Sequence, residues 1–188
     1  LCGTAKTTTQ NWITLEGCKL ALQSDVNYNN GDYISPPKKG LKAFSRNYTS
    51  TLFDKEGYEE GLHLNLFDGF EDTESYLDYM DAFFGSVDAN DLLGMLNTWQ
   101  MGDIGKHQKF NNNTKEALAN INCPALVMPS STDLSFPARN NIPEVNQMSE
   151  AELVVINTKH GHLAGGMSTV LTSQQDVTFI DKNIKEFL

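Results

Sequence analysis

No apolar run in this sequence approaches the roughly 18 residues needed to span a bilayer, so no transmembrane helix is expected. Positive charge is scarce: 14 lysines and arginines stand against 24 aspartates and glutamates, a formal net charge of −10. That balance repels phosphate backbones and anionic headgroups, so neither nucleic acid nor a membrane is expected as a partner. Cysteine is scarce too. The three present, Cys2, Cys18 and Cys123, are odd in number and lack metal-ligand spacing, so free core thiols of an intracellular kind are expected. The opening Leu1-Cys2-Gly3-Thr4-Ala5 lacks the charged, apolar and small-residue order of a signal peptide and reads as the tail of a strand entering a loop. The chain is therefore expected to start part-way through a fold, and a cytoplasmic location is favoured. Two glycosylation sequons, Asn47-Tyr48-Thr49 and Asn112-Asn113-Thr114, are short enough to arise by chance.

What is present is a globular composition, 39% hydrophobic and 20% charged over 188 residues, enough for one domain with a sizeable core. Trp12, Leu15, Cys18, Ala21 and Leu22 recur at helical spacing and predict a first amphipathic helix. Leu41, Phe44, Tyr48 and Leu52 predict a second. Residues 54–71 read as irregular, broken by Gly57, Gly61 and Gly69. Asp72 caps a third helix with Leu77, Met80, Phe83, Phe84 and Val87 inward, and Asp88 to Asp91 opens a fourth with Leu92, Met95, Leu96 and Trp99 inward. A short helical piece at 114–120 and a terminal helix from Gln175 to Leu188 complete the helices. His63 and His107 have no Cys or carboxylate companions at ligand spacing, so they are expected at the surface and no metal site is expected.

The stretch from Cys123 to Gly166 carries the chemistry. Ala125-Leu126-Val127-Met128 is a short apolar run stopped by Pro129-Ser130-Ser131-Thr132-Asp133, and Leu153-Val154-Val155-Ile156 is a second run that leads to His160-Gly161-His162. Each reads as a buried strand ending in a loop, with residues 138–150 as the crossover helix between them. A strand–helix–strand unit of this kind puts both loops at the carboxyl edge of one parallel sheet. An Asp after one strand and a His after the next are then neighbours, the geometry of the acid and base of a Ser-His-Asp triad. Two plainer readings stand beside it: Asp in a post-strand turn caps nearby amides, and a Gly-flanked His is often a surface loop residue.

Five stretches in order also resemble the carboxyl-terminal part of the homoserine O-acetyltransferase family. They are Gly3-Thr4-Ala5; Gly31-Asp32-Tyr33 with Pro37 and Gly40-Leu41; Glu74-Ser75-Tyr76-Leu77 with Asp88-Ala89-Asn90; Ser131 to Pro137; and Gly161-His162. The resemblance implies a partial α/β-hydrolase fold: residues 1–10 as the tail of a core strand and its loop, 11–113 as a helical lid, and 114–188 as the last strands and helices of a parallel sheet. It also implies acyl transfer from acetyl-CoA or another acyl-CoA to an alcohol through an acyl-serine, with no resident cofactor. Asp133 is then the acid that orients the imidazole and His162 the general base. His160 does not match the motif and is taken as a loop residue.

Two departures from the family pattern matter. No Gly-x-Ser-x-Gly elbow occurs in the 188 residues, since Gly166-Met167-Ser168 follows the His and lacks the second Gly. An amino-terminal half carrying the nucleophilic Ser is therefore expected as a partner, beside the small-molecule acyl donor and acceptor and a homodimer through the lid. Secondly, Leu163 stands where the homoserine enzymes have Asp, and an aliphatic side chain cannot hold an ammonium group. Arg46, one position out of register with the family's carboxylate-gripping Arg, is carried as a weak substrate-binding candidate together with Leu163. An ester hydrolase of the same fold, and a non-catalytic chain acting as a binding module, remain open. An unprotected sheet edge at Leu126-Val127-Met128 predicts that the chain alone associates or aggregates.

Overall fold

The computed structural model describes residues 3–165 and 173–188, so Cys2 and the Gly166-Met167-Ser168 stretch lie outside the described residues. The chain forms two compact units. One, the sheet unit, gathers Leu1–Lys6, Leu52–Gly69 and Asp103–Leu188; the other, the helical unit, gathers Thr7–Thr51 and Phe70–Gly102. Residues 52–69 and 103–113 group with the strands rather than with the helices around them.

The helical unit is built from α1 (Thr9–Gln23), α2 (Lys38–Thr49), α4 (Thr73–Gly85) and α5 (Ala89–Gln100). Three of the four starts, those of α1, α4 and α5, are set by side chains that satisfy orphan amides: Thr8 accepts from Asn11 N, Asp72 and Ser75 form a reciprocal capping box, and Asp88 accepts from Asn90 and Asp91 N. Leu15, Cys18 and Leu22 of α1 and Leu41 and Phe44 of α2 are buried, each large apolar side chain contributing about 1.5–3 kcal/mol against its entropy of ordering. Gly40 permits the close approach of α2 to α1, since a Cβ there would lie 2.2 Å from Leu22 O. Asp25 accepts the Gly40 N–H at 3.0 Å, closing the loop between the two helices. The helical phase differs from the sequence reading on three helices. Trp12 of α1 is exposed, on α4 Tyr76 is buried while Phe83 faces out, and on α5 Leu93 is buried while Met95 faces out. In α5 four apolar side chains fall within five residues, and packing neighbours rather than periodicity choose among them.

In the sheet unit, β1 (Ala125–Val127) and β2 (Ala151–Leu153) pair in parallel, with Leu126 opposite Glu152. The ladder runs on beyond the named strands through Val154 N to Val127 O at 3.0 Å and Ile156 N to Pro129 O at 2.9 Å. The crossover helix α7 (Ala138–Val145) stops short of the expected residue 150. Met128, Ile156 and Ala164 form the buried centre of the unit, flanked by Leu126, Val154 and Ile180 of the terminal helix α8 (Gln174–Phe187). The segment expected to be irregular contains α3 (Lys55–Glu59) and a 3-10 turn, Leu62–Asn65. His63 in that turn is buried rather than at the surface, lies 5.2 Å from the Tyr58 ring, and its pKa is pushed down by burial. Cys18 is a buried thiol as expected, whereas Cys123 is exposed just ahead of Pro124. Short α6 (Thr114–Ala119) leads towards β1. No described helix is long and apolar enough to cross a membrane.

Candidate active site

Both loops that leave the carboxyl ends of β1 and β2 meet, as the crossover topology requires. Asp133 ends the first. Its carboxylate is almost wholly buried and fully used: Oδ1 accepts from Ser135 N at 2.8 Å and Phe136 N at 2.9 Å, while Oδ2 stands 3.0 Å from His162 Nδ1. Burial pushes the Asp133 pKa up, but the His162 hydrogen bond and the two amides outweigh it and hold the group below its ordinary 3.8. An ionised Asp133 can only accept, so the His162 proton on this side resides on Nδ1. The basic lone pair of the neutral ring is then on Nε2, the arrangement a general base requires.

His162 is held from its backbone as well. Its N–H donates to Leu52 O at 2.8 Å, and Gly161 before it has φ +55°. A Cβ at Gly161 would lie 2.5 Å from Leu52 O and 2.9 Å from Phe53 Cα, so only glycine allows the His loop to sit this close. Ser131 and Thr132, the two residues ahead of Asp133, both donate their hydroxyls to Thr158 O, at 3.1 and 2.9 Å. Thr132 Oγ1 in turn accepts from Gly161 N at 3.1 Å. The acid loop and the base loop are therefore bound to each other by side chains that the sequence reading did not single out. The Phe136 ring lies 5.7 Å from the imidazole.

The remaining candidates fall differently. Leu163 is half-buried in the 3-10 turn Gly161–Gly165, and its amide donates to His160 O. Arg46 belongs to the helical unit, where it bonds Glu74 at 2.6 Å and Asp81 at 3.0 Å and lies 3.4 Å from Asp78. These acids, Glu74 first, push its pKa further up, and a substrate carboxylate would have to displace one of them. His160, taken as a loop residue, is instead paired: its Nδ1 lies 3.2 Å from Asp176 Oδ2 and 3.0 Å from Thr158 Oγ1. The signal for Asp176 was present in Ser173-x-x-Asp176, the cap that opens α8. Among the described residues no group of three or more His, Cys, Asp or Glu side chains could hold a metal ion.

No family model matches the chain. Comparison with individual proteins is informative. A probable esterase of Corynebacterium glutamicum is 33% identical over 189 residues, covering 99% of this chain and 52% of that protein. A homoserine O-succinyltransferase of Saccharophagus degradans is 29% identical over 181 residues, covering 82% of this chain and 45% of that protein. Among solved structures, an acetylester hydrolase from Corynebacterium glutamicum superposes with a TM-score of 0.86 at 31% identity, covering 99% of this chain and 52% of that one. The chain matches the carboxyl-terminal half of the homoserine O-acyltransferase and esterase family, with part of an α/β-hydrolase fold. It spans about half the length of these relatives. The two-stranded sheet is consistent with a partial fold of that kind.

Proposed function

We propose that the chain supplies the acid and base of a Ser-His-Asp triad that cleaves carboxylic esters, with the nucleophilic Ser borne outside these 188 residues. The observation that carries this reading is the 3.0 Å contact of a buried, ionised Asp133 with His162 Nδ1. In the reaction, His162 Nε2 takes the proton of the serine hydroxyl as its oxygen attacks the ester carbonyl. The imidazolium, stabilised by Asp133, returns that proton to the departing alcohol. Water then attacks the acyl-serine by the same proton path, releasing the acid. Leu163 next to the base favours an uncharged substrate at that point over an amino acid.

The place for the missing half is the open side of β1. Among the described residues β1 pairs only with β2, and a groove of about 360 Å³ beside it is lined by Thr4, Ala5, Leu126 and Val127 among others. Unpaired strand amides and carbonyls in an apolar groove suit an added β-strand. Acyl transfer from an acyl-CoA to homoserine is a second reading, favoured by the likeness to the S. degradans succinyltransferase.

Reconstitution with the nucleophile-bearing half, assayed on p-nitrophenyl acetate, tests the proposal. Turnover is expected, and His162→Ala is expected to abolish it. Asp133→Asn is expected to lower kcat about 10⁴-fold by fixing the wrong imidazole tautomer. Undiminished hydrolysis in either variant removes that residue from the mechanism. Homoserine that captures the acyl group ahead of water would favour the transferase reading, and an assembly inert to both would leave the chain a binding module.

A further inference from the structure

Two histidines on one loop, separated by Gly161 alone, are each paired with an aspartate from another element. Asp133 and His162 form the first pair. The second joins His160 to Asp176, which is buried in the first turn of α8. Thr158 Oγ1 sits at the centre of the second pair. It donates to Asp176 Oδ2 at 2.7 Å and accepts from His160 N at 3.1 Å, and His160 Nδ1 lies 3.0 Å away. Because the Thr158 hydroxyl hydrogen is spent on Asp176, His160 Nδ1 must be the donor in this cluster. Asp176 is itself fixed, since its N–H donates to Ser173 Oγ at 3.0 Å at the helix start. The Thr158 carbonyl, on the same residue, accepts the Ser131 and Thr132 hydroxyls that tie down the acid loop.

From this connectivity we infer that Asp176, His160 and Thr158 are positioning residues for His162: they anchor the base-bearing loop to α8 and hold its ring on Asp133. The cluster does not touch the reacting atoms. Its effect passes from Asp176 to Thr158, from Thr158 O to Thr132, and from Thr132 Oγ1 to the Gly161 amide next to His162. Loss of the Thr158 hydroxyl or of the Asp176 charge frees one end of that chain. The loop then samples geometries in which the imidazole is turned away from Asp133. The inference rests on the proposed catalytic role of His162, but the geometry can be read without turnover.

The test compares Asp176→Asn, Thr158→Val and Thr158→Ser in the 188-residue chain, bound to its nucleophile half where that keeps it in solution. Two signals are followed: hydrogen exchange of the Gly161 and His162 amides, and the low-field proton resonance of His162 Nδ1–H. Asp176→Asn and Thr158→Val are expected to speed exchange at these amides about tenfold and to broaden the imidazole resonance, with α1 amides unchanged. Thr158→Ser, which keeps the hydroxyl, is expected to behave as the parent. Unchanged exchange and resonance in Thr158→Val would overturn the inference, as would equal effects of Val and Ser at position 158. Should Asp176→Asn fail to fold, the Val and Ser pair decides alone. Failure of His162→Ala to affect turnover would sink the catalytic reading while leaving these signals as they are.

Discussion

Replacing Gly161 by alanine should damage the sheet unit by an amount that the structure divides into two parts. The first is backbone strain: at φ +55° an L-residue sits in the left-handed region at a cost of about 1–2 kcal/mol. The second is collision, because the new methyl would lie 2.5 Å from Leu52 O and 2.9 Å from Phe53 Cα, both backbone atoms that cannot rotate away. Forced overpacking of this kind costs about 1–3 kcal/mol, giving about 2–5 kcal/mol together, a large share of a typical domain stability of about 5–15 kcal/mol. Gly61, at φ +71° in the same unit, meets only Leu64 Cδ1 at 3.7 Å, so Gly61→Ala isolates the strain. The assay is hydrogen exchange at the Val154 and Ile156 amides, which bond Val127 O and Pro129 O inside the ladder. Tryptophan emission would miss the effect, because Trp12 and Trp99 both belong to the helical unit. A loss of 3 kcal/mol corresponds to exchange about 150-fold faster, and Gly61→Ala should give about tenfold. Equal exchange in the two variants would show that the loop yields to the methyl and that the close approach is not required.

Three further outcomes follow from the geometry. Because folding depresses the Asp133 pKa below its ordinary 3.8, the stability it contributes is present above that value and is lost as pH falls through the folded value. Urea midpoints of the parent should therefore drop more steeply than those of Asp133→Asn as the pH is lowered below the carboxyl's ordinary 3.8, and parallel curves would refute the assignment. Burial raises the Cys18 thiol to about 11, so iodoacetamide at neutral pH should label exposed Cys123 well before Cys18, read by peptide mass mapping. The open side of β1 should make the chain alone self-associate in sedimentation velocity, and a monodisperse monomer that melts cooperatively would contradict the docking role given to that edge.

The parts of the fold that were legible in the sequence are those in which local chemistry and global packing agree. The two apolar runs ended at Pro-Ser-Thr-Asp and Lys-His-Gly-His turns, so Asp133 and His162 could be brought together from chain order alone, 29 residues apart. Asp72 and Asp88 marked two helix starts for the same reason, each side chain satisfying amides within three residues of itself. What the pattern hid was decided at a distance. The Asp176 partnership with His160 depends on where the first turn of α8 falls against a loop, and the burial of His63 depends on packing that a Gly-broken, aperiodic segment does not announce. Arg46 was carried only on its near-register likeness to a family Arg, and its three acidic partners, 28 to 35 residues away in sequence, gave no local signal.

The discontinuous make-up of the sheet unit has a consequence during protein synthesis. Lys6 and Asp103 pair in an antiparallel bridge, so the chain leaves and rejoins this unit at one place, but it also returns for Leu52–Gly69 in between. The helical unit is complete once Gly102 has left the ribosome. Leu52 O and the fully buried Phe53 must wait for Gly161 and His162, about 110 residues later, which at about 5–20 residues per second is some 5–20 s of translation. For that interval Phe53 and Leu52 O stand without the cover of the His loop.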